Sequence, residues 1–407
     1  MVTYRFRAYP STIQEGRLDA WQHTLRALWN AATDQRVQRL RRKSGPWPTY
    51  NRQAAELTDL RRACEWHRDV PTDFSQALLR VVDSAWQDFF AKRKGLPRFK
   101  AKGRDWAPMR TLAASRFRVA RTRVKLPKLG WIKIRAHRRI VGVPRSISIT
   151  KDCDKWFVSI TCEIVEAKPT HPHASRVIGL DVGIAVAVAD SDGGFVENPR
   201  WMERSRKRLA RAQRRLSRKK KESNRRAKAK ARVARVHRKI RHQRRDWQHK
   251  LTDAYTKSHG VIVIEALRVK NMMRSASGTV AKPGRNVRNK AGLNRSIADV
   301  GWGEIHRQLA YKSAWRGGLL VEVDPRNTSL ACRKCGCLSS DNRPKQALFS
   351  CVACGHTEHA DTHASRNILA RASQTPAETV GDARGGTRVS DPMKRERVHG
   401  VLESSAL

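Results

Sequence analysis

Residues 177–183 read Val-Ile-Gly-Leu-Asp-Val-Gly, an apolar run that contains one acid, Asp181. A short apolar run of this kind is typical of a strand buried on both faces, as in the parallel part of a sheet. A carboxylate in such a strand costs several kcal/mol of folding free energy when nothing compensates its charge. The position of Asp181 therefore predicts a chemical role in addition to a structural one.

Two further acids stand at comparable places in the sequence. Residues 261–265, Val-Ile-Val-Ile-Glu, form another apolar run that closes on Glu265, and Asp361 opens a predicted helix over residues 361–372. Taken alone, each acid is equally compatible with a turn or a helix N-cap. Together the acids match the need of two divalent cations, which a few carboxylates hold when they activate water at a phosphodiester. We expect the acids to repel one another until such cations bind.

The most specific motif is a pair of C-x-x-C-G units at residues 332–336 and 351–355, with 15 residues between the two cysteine pairs. The glycine that ends each unit permits the tight backbone turn that directs both sulfurs toward one point. Two such units predict a closed tetrahedral site, which is typical of structural zinc rather than of a redox C-x-x-C pair. The expected ligands are Cys332, Cys335, Cys351 and Cys354.

Charge restricts the class of partner. Lysine and arginine total 85 against 36 acidic residues, a formal net charge of +49 over 407 residues. Self-repulsion of this size destabilises a compact chain unless a polyanion neutralises it, so nucleic acid is the expected partner. A ribosomal or histone-like protein is the alternative, but the 12 tryptophans and the length argue against it. The sequence shows no membrane span, and the cysteine pattern favours metal binding in a reducing cytoplasm over a disulfide framework.

The strongest concentration of charge lies in residues 204–250, where 23 of 47 positions are Lys or Arg. Such a run is often a solvated face or a disordered tail. Here apolar residues recur at helical spacing through it, as at Val233, Val236 and Ile240, which favours a folded pair of helices. Residues 222–224, Glu-Ser-Asn, are the predicted turn between the two helices.

The N-terminal half predicts a sheet interrupted by helices. Its first ten residues alternate like a strand, helical spacing of apolar residues follows, and short strand-like runs return after residue 97. This pattern predicts a small β-barrel with a helical insert, followed by a linker at residues 171–173. In the C-terminal half, residues 274–295 are expected to form a mobile loop, and residues 297–314 a helix. A disordered tail is expected over residues 373–407.

Three segments resemble the RuvC motifs of TnpB, the insertion-sequence-encoded nuclease. They are the segment that contains Asp181, residues 263–272 (VIEALRVKNM) and residues 361–369 (DTHASRNIL). The resemblance covers about residues 1 to 372, and the motifs occur in the order and spacing of that family. In the third segment, His363 and Ser365 stand where Asn and Ala are commoner.

The resemblance implies a multidomain α+β fold, in which an N-terminal β-barrel wedge domain with a helical insert precedes a C-terminal RNase H-like (RuvC) α/β domain with an inserted four-cysteine zinc ribbon. The implied boundaries are 1–10 and 97–170 for the wedge domain, 11–96 for the helical recognition insert, 174–330 and 356–372 for the RuvC domain, and 331–355 for the ribbon. Within the RuvC domain, a basic helical hairpin spans 204–250 and a lid loop spans 274–295.

The resemblance also implies an RNA-guided DNA endonuclease, which binds a non-coding guide RNA and cuts double-stranded target DNA next to a short flanking motif. Asp181, Glu265 and Asp361 would hold Mg²⁺ or Mn²⁺. Tyr50 and Gln76 resemble family residues near the flanking DNA motif, although packing and a polar surface position are the alternatives. The hairpin would lie along the nucleic-acid backbone, and its expected contacts are Arg214, Arg215, Arg218, Lys219, Lys220, Arg225 and Arg226.

Two other functions share these residues. A compact type V CRISPR effector uses the same chemistry, and only a neighbouring repeat array or transposon ends would separate it from the transposon-encoded form. The short N-terminal half favours the transposon-encoded form. A guided DNA-binding repressor that does not cut is the third reading, but relatives of that kind usually lose one of the acids and all three are present here.

Overall fold

The chain divides into two compact units, residues 1–167 and residues 168–407. The structure, a computed structural model, describes residues 1–42, 45–102, 106–112, 114–164 and 169–372. The tail predicted over residues 373–407 lies outside the described residues. None of the described helices has the length and apolar character that crossing a membrane requires.

The N-terminal unit combines an antiparallel sheet with helices inserted after its first strand. Its strands are β1 (Val2–Tyr9), β2 (Met109–Thr111), β3 (Arg118–Val119), β4 (Arg123–Leu126), β5 (Gly130–Arg135), β6 (Val143–Asp152) and β7 (Lys155–Glu163). Its helices are α1 (Thr12–Arg42), α2 (Tyr50–Ala63), α3 (Glu65–Asp69) and α4 (Thr72–Phe90). The first strand joins the later ones as predicted, because β1 pairs with both β5 and β7.

This sheet is open, whereas the sequence predicted a barrel. The strand order is β2-β6-β7-β1-β5-β4-β3, so β2 and β3 are edge strands and no ladder of the described residues joins them. These edges contain three and two residues, which is too few for the continuous ladder that closure requires. The alternating inner face of β1 is nevertheless well buried, and Phe6 packs in one core with Trp21, Trp86 and Trp156.

The C-terminal unit is built on a mixed sheet of strand order β10-β9-β8-β11-β12. Its strands are β8 (Val177–Asp181), β9 (Val186–Asp190), β10 (Phe195–Glu197), β11 (Val261–Glu265) and β12 (Leu319–Val323), and a separate pair is formed by β13 (Leu348–Ser350) and β14 (Thr357–His359). Its helices are α5 (Trp201–Ser217), α6 (Asn224–Ser258), α7 (Val269–Met272), α8 (Val287–Val300), α9 (Trp302–Trp315) and α10 (Ala360–Ala372).

The central strands of this sheet are apolar throughout because helices cover both faces. Ile262 and Ile264 of β11 share a core with residues of α6, α8 and α9. Val263, which points to the opposite face, packs with Ile368 of α10. Strands β8, β11 and β12 run parallel, as the unbroken apolar runs predicted.

Three local predictions need correction. The loop predicted over residues 274–295 ends early, because α8 begins at Val287. The helix predicted over residues 297–314 is two helices, since Gly301 adopts a left-handed φ of +78° and ends α8. The predicted linker is packed rather than free: His171 is 3% exposed, and its ring Nε2 donates to the carbonyl of Thr256 at 3.0 Å.

Candidate functional site

Asp181 and Glu265 end neighbouring parallel strands. Leu180 of β8 stands opposite Ile264 of β11, so the next residue on each strand is an acid at the same level of the sheet. Both acids are partly buried. Ligand sites of parallel sheets gather at this edge, because every parallel strand ends there and its side chains converge.

Asp361 reaches the same edge from a helix. It lies in the first turn of α10, and this helix packs against β8, β9, β11 and β12. The close approach depends on Gly179, where an added Cβ would stand 2.3 Å from the carbonyl oxygen of Ser365. A residue without a side chain in β8 therefore allows α10 to bring Asp361 to the strand ends.

The neighbouring carboxylates disfavour the ionisation of Asp181. Burial, followed by the charges of Glu265 and Asp361, raises the pKa of Asp181 to about 7. Burial also raises the pKa of Glu265, and a 2.5 Å hydrogen bond from the Thr328 hydroxyl opposes that effect. A group of acids held in this way is the arrangement that a divalent cation relieves.

The carboxylates of Asp181, Glu265 and Asp361 lie farther apart than the ligands of a single cation. Among the described residues, the sets of metal-capable atoms that lie within 4.8 Å of one another do not include the three carboxylates. Two cations about 3.5–4 Å apart need such an open set, with hard oxygen donors of the kind that Mg²⁺ and Mn²⁺ prefer. A cavity of about 400 Å³ lies beside Glu265 and is also lined by Trp302 and His306.

The four cysteines of the C-x-x-C-G units converge as their spacing predicted. Their sulfurs all lie within 4.8 Å of one another, with 3.7 Å between Cys332 and Cys354 and 3.5 Å between Cys335 and Cys351. Sulfurs at the corners of a tetrahedron with Zn–S bonds of about 2.3 Å are about 3.8 Å apart. The donor set therefore fits a structural zinc ion.

The two C-x-x-C-G motifs adopt the same backbone turn. Gly336 and Gly355 have left-handed φ values of +73° and +68°. Each donates its backbone N–H to the first cysteine of its own unit, Gly336 to Cys332 at 2.9 Å and Gly355 to Cys351 at 3.0 Å. Backbone N–H groups, that of Cys354 first, lower the pKa of the Cys351 thiol to about 6, which favours the thiolate that a metal needs.

The basic segment forms the predicted pair of helices, α5 and α6, and Ser223 caps the second by accepting from the backbone N–H of Arg226. A cavity of about 710 Å³ between the helices is lined by basic side chains that include Arg215, Lys219 and Arg225. The predicted contact residues with exposed side chains are Arg214, Arg215, Arg218, Lys219, Lys220 and Arg225.

Arg226 differs from the other predicted contacts of the hairpin. Its guanidinium donates to the carbonyl oxygens of Leu216, at 3.1 Å, and Lys219, at 2.9 Å. These carbonyls belong to the last turn of α5 and the residues after it, where helical partners are missing. Arg226 therefore braces the turn between the helices instead of offering a free charge.

Tyr50 and Gln76 lie in the N-terminal unit, on different helices. Tyr50 begins α2, is partly buried, and has the guanidinium of Arg80 over its ring at 4.8 Å. Gln76 is exposed in the first half of α4. Tyr50 is thus partly packed and Gln76 is accessible, and the contact of both with the flanking DNA motif stays a prediction.

Several residues that support the site were not singled out by the sequence. Thr328 holds Glu265, and Asn367 of α10 donates to the carbonyl of Thr328 at 2.8 Å. Asp299, which is 9% exposed, pairs with Arg244 of α6 at 3.0 Å and accepts from the backbone of Met202 in α5. The sequence signal for Asn367 and Asp299 was a polar residue next to the apolar positions of a predicted helix.

Two family models and one solved structure match this chain. A family model described as "Probable transposase" matches residues 159–276, and a model described as "Cas12f1-like, TNB domain" matches residues 302–368. A solved Cas12f1–sgRNA–target DNA complex aligns with a TM-score of 0.53 at 14% identity, over 88% of this chain and 82% of that one. This likeness shows the fold class: a multidomain α+β protein with the architecture of the compact Cas12f1 type.

Two curated relatives narrow the class to a family. "Putative RNA-guided DNA endonuclease InsQ" of Escherichia coli K12 is 40% identical over 369 residues, which are 90% of this chain and 91% of the relative. "Putative RNA-guided DNA endonuclease" of Streptomyces pristinaespiralis is 31% identical over 378 residues, 90% of this chain and 88% of the relative. The chain belongs to the TnpB family, as its motifs predicted.

Proposed function

We propose that this protein is a transposon-encoded, RNA-guided DNA endonuclease that cuts double-stranded DNA by metal-dependent hydrolysis of phosphodiester bonds. The observation that carries the proposal is the convergence of Asp181, Glu265 and Asp361 at one edge of the C-terminal sheet, where burial and the charges of the other two acids raise the pKa of Asp181. Membership of the TnpB family supplies the guided substrate.

The roles of the residues follow from their positions. Asp181, Glu265 and Asp361 would hold Mg²⁺ or Mn²⁺, and bound cations supply an activated water and stabilise the leaving oxygen. Thr328 orients Glu265 through its 2.5 Å hydrogen bond. The exposed arginines and lysines of α5 and α6 would contact the nucleic-acid backbone, which adds affinity without sequence information.

The N-terminal unit would contribute recognition. We assign its open sheet to the role of the wedge domain and its helices α1–α4 to the recognition insert, and we assign residues 274–286 to the lid of the cleavage site. Within that insert Gln76 remains the proposed contact to the flanking DNA motif, since its amide can pair with adenine and its side chain is exposed. Tyr50 would support that surface by holding Arg80.

The test begins with the RNA that copurifies with the expressed full chain. Sequencing this RNA identifies the guide, and a plasmid library that carries the matching target and randomised flanks, incubated with Mg²⁺, reports cleavage and the flanking motif. Asp181→Ala should abolish cleavage and leave RNA binding in place, while Asp192→Ala, an acid of the neighbouring turn, serves as the control. Cleavage by the Asp181→Ala protein at the parent rate contradicts the assigned site. Guided DNA binding by the parent without cleavage in Mg²⁺ or Mn²⁺ identifies a repressor instead.

A further inference from the structure

A second group of metal-capable side chains lies beside the four cysteines and is separate from them. It consists of His356, Glu358 and His363, and one ligand atom from each falls within 4.8 Å of the other two. Oε2 of Glu358 lies 3.6 Å from Nε2 of His356 and 3.3 Å from Nδ1 of His363. Donors on a tetrahedral shell of radius 2.0–2.1 Å stand about 3.3–3.4 Å apart, so the spacing already suits one cation.

The hydrogen-bond partners of His363 determine which of its two ring nitrogens carries the hydrogen. Its Nε2 lies 2.9 Å from the carbonyl oxygen of Ala331, and a carbonyl only accepts, so Nε2 carries the hydrogen. In the neutral ring Nδ1 then presents a lone pair to the Glu358 carboxylate at 3.3 Å. Two acceptors at this distance repel each other unless a proton or a metal cation lies between them.

His363 has no freedom to turn away from that contact. Its side chain is 0% exposed, and its ring is stacked on Phe349 with 3.5 Å between the centroids. An imidazole whose far N–H donates to a backbone carbonyl has the tautomer and orientation that metal-bound histidines normally show.

His356 supplies the independent observation. Its Nε2 is buried and has no hydrogen-bond partner among the described residues. A buried nitrogen left in this condition has lost its hydration without gaining a hydrogen bond, which is unfavourable. One cation placed among the three donors would satisfy Nε2 of His356 and remove the conflict between Glu358 and His363.

Glu358 divides its two oxygens between different partners. Oε1 pairs with the guanidinium of Arg366, whose Nε donates to the carbonyl of Ser191 at 3.0 Å. Oε2 is the oxygen that faces both histidines. The arginine therefore orients the carboxylate without occupying the position between the imidazoles.

We propose that His356, Glu358 and His363 form a second metal centre, which binds a divalent first-row transition ion of the Zn²⁺ type. Two imidazoles and a carboxylate are a donor set that Zn²⁺ accepts. The centre joins β14 to the first turns of α10, with Asp361 between its ligands in the chain. Metal binding here does not depend on DNA cleavage, so the proposal stands apart from the proposed function.

The experiment counts zinc ions per chain. The full chain with its copurified RNA is loaded with Zn²⁺, desalted, and assayed by mass spectrometry of the element against protein concentration. We expect about two ions per chain for the parent and about one for His356→Ala and for His363→Asn. The control is His359→Ala, which removes an exposed histidine of β14, the strand that contains Glu358, and should keep about two ions.

Cobalt substitution separates loss of this centre from general misfolding. Co²⁺ bound to the cysteines gives an intense thiolate charge-transfer band, which should persist in His356→Ala, whereas the weaker absorption of a nitrogen and oxygen site should vanish. In the Cys354→Ser protein the thiolate band should be lost, and the weaker absorption of the nitrogen and oxygen site should persist. About one zinc ion in the parent, or two in both histidine variants, overturns the proposal and indicates a protonated His363 in a hydrogen-bonded network.

Discussion

The guanidinium of Arg343, in the ribbon, lies 3.5 Å from the carboxylate of Asp361, in α10. A second contact, to the carbonyl of Gln346 at 2.8 Å, holds Arg343 in place. Its charge opposes the effect of the acids by lowering the pKa of Asp181. The ribbon thus acts on the carboxylate trio through a side chain as well as through the chain that follows Cys354.

Removal of Arg343 should shift the pH dependence of cleavage. In Arg343→Ala the carboxylates lose a compensating charge, so Asp181 should ionise at a higher pH and the acid limb of the rate profile should move up by about 0.5–1 unit. Initial rates from pH 6 to 9 at limiting Mg²⁺ measure the shift. Arg343→Lys should restore most of the profile, and Arg333→Ala, at an exposed position of the first knuckle, should not move it. An unchanged profile in Arg343→Ala would rule out this coupling.

Asp181→Asn should stabilise the protein in the absence of Mg²⁺ at alkaline pH. The pKa of Asp181 is about 7 in the folded protein against 3.8 for the free group, so the folded state binds more protons between these values. The contribution of this group to stability is therefore largest below about pH 4 and is lost as pH rises through 7. At pH 8 the unfolding free energy of the variant should exceed that of the parent by about 2–4 kcal/mol. At pH 4 the two proteins should be equally stable. Urea titrations at both pH values check this, with the exposed Asp246→Asn as a control that should show no gain.

Loss of a zinc ligand should impair cleavage more than RNA binding. Cys354 lies seven residues before Asp361 in the chain, so Cys354→Ser releases the segment that leads into α10. We expect at least about a 100-fold loss of cleavage with RNA affinity within about threefold. Gel-shift assays and plasmid cleavage on the same preparation give both quantities. If the two activities fall equally, the ribbon only supports folding.

Gly179→Ala should destabilise the C-terminal unit. The new Cβ would stand 2.3 Å from the carbonyl oxygen of Ser365 and 2.9 Å from Cβ of Leu369, so α10 must move away from β8. Overpacking of this type costs about 1–3 kcal/mol. Gly303→Ala is the matched control, because nothing lies within 4 Å of its added Cβ and alanine is the better helix former. Thermal unfolding of both variants measures the difference, and equal melting temperatures would show that α10 does not depend on this approach.

Two adjacent arginines of the hairpin should behave differently. Arg225→Ala removes an exposed charge, so RNA affinity should fall and the slope of its salt dependence should decrease by about 1, with stability unchanged. Arg226→Ala removes the two hydrogen bonds to the end of α5 and should lower the unfolding free energy by about 1–2 kcal/mol. Salt titrations of RNA binding and thermal unfolding distinguish them. Identical behaviour of the two variants would contradict the brace assigned to Arg226.

Local patterns determined most of the elements and the chemistry of this protein. The strand Val261–Glu265 agrees with the predicted apolar run, because a continuous apolar pattern is a property of adjacent residues. The cysteine ligands were predictable for the same reason, since each knuckle is complete within five residues. The three acids were predictable because a charge in or next to an apolar run is conspicuous.

Only the tertiary structure decided how these pieces support one another. The open N-terminal sheet, the pairing of Arg343 with Asp361, and the group of His356, Glu358 and His363 depend on contacts between segments or on the directions of side chains. A sequence pattern reports the periodicity of one segment and contains no information on which segment packs against it. The break between α8 and α9 at Gly301, where φ is +78°, was also missed, because the periodicity of apolar residues continues through it.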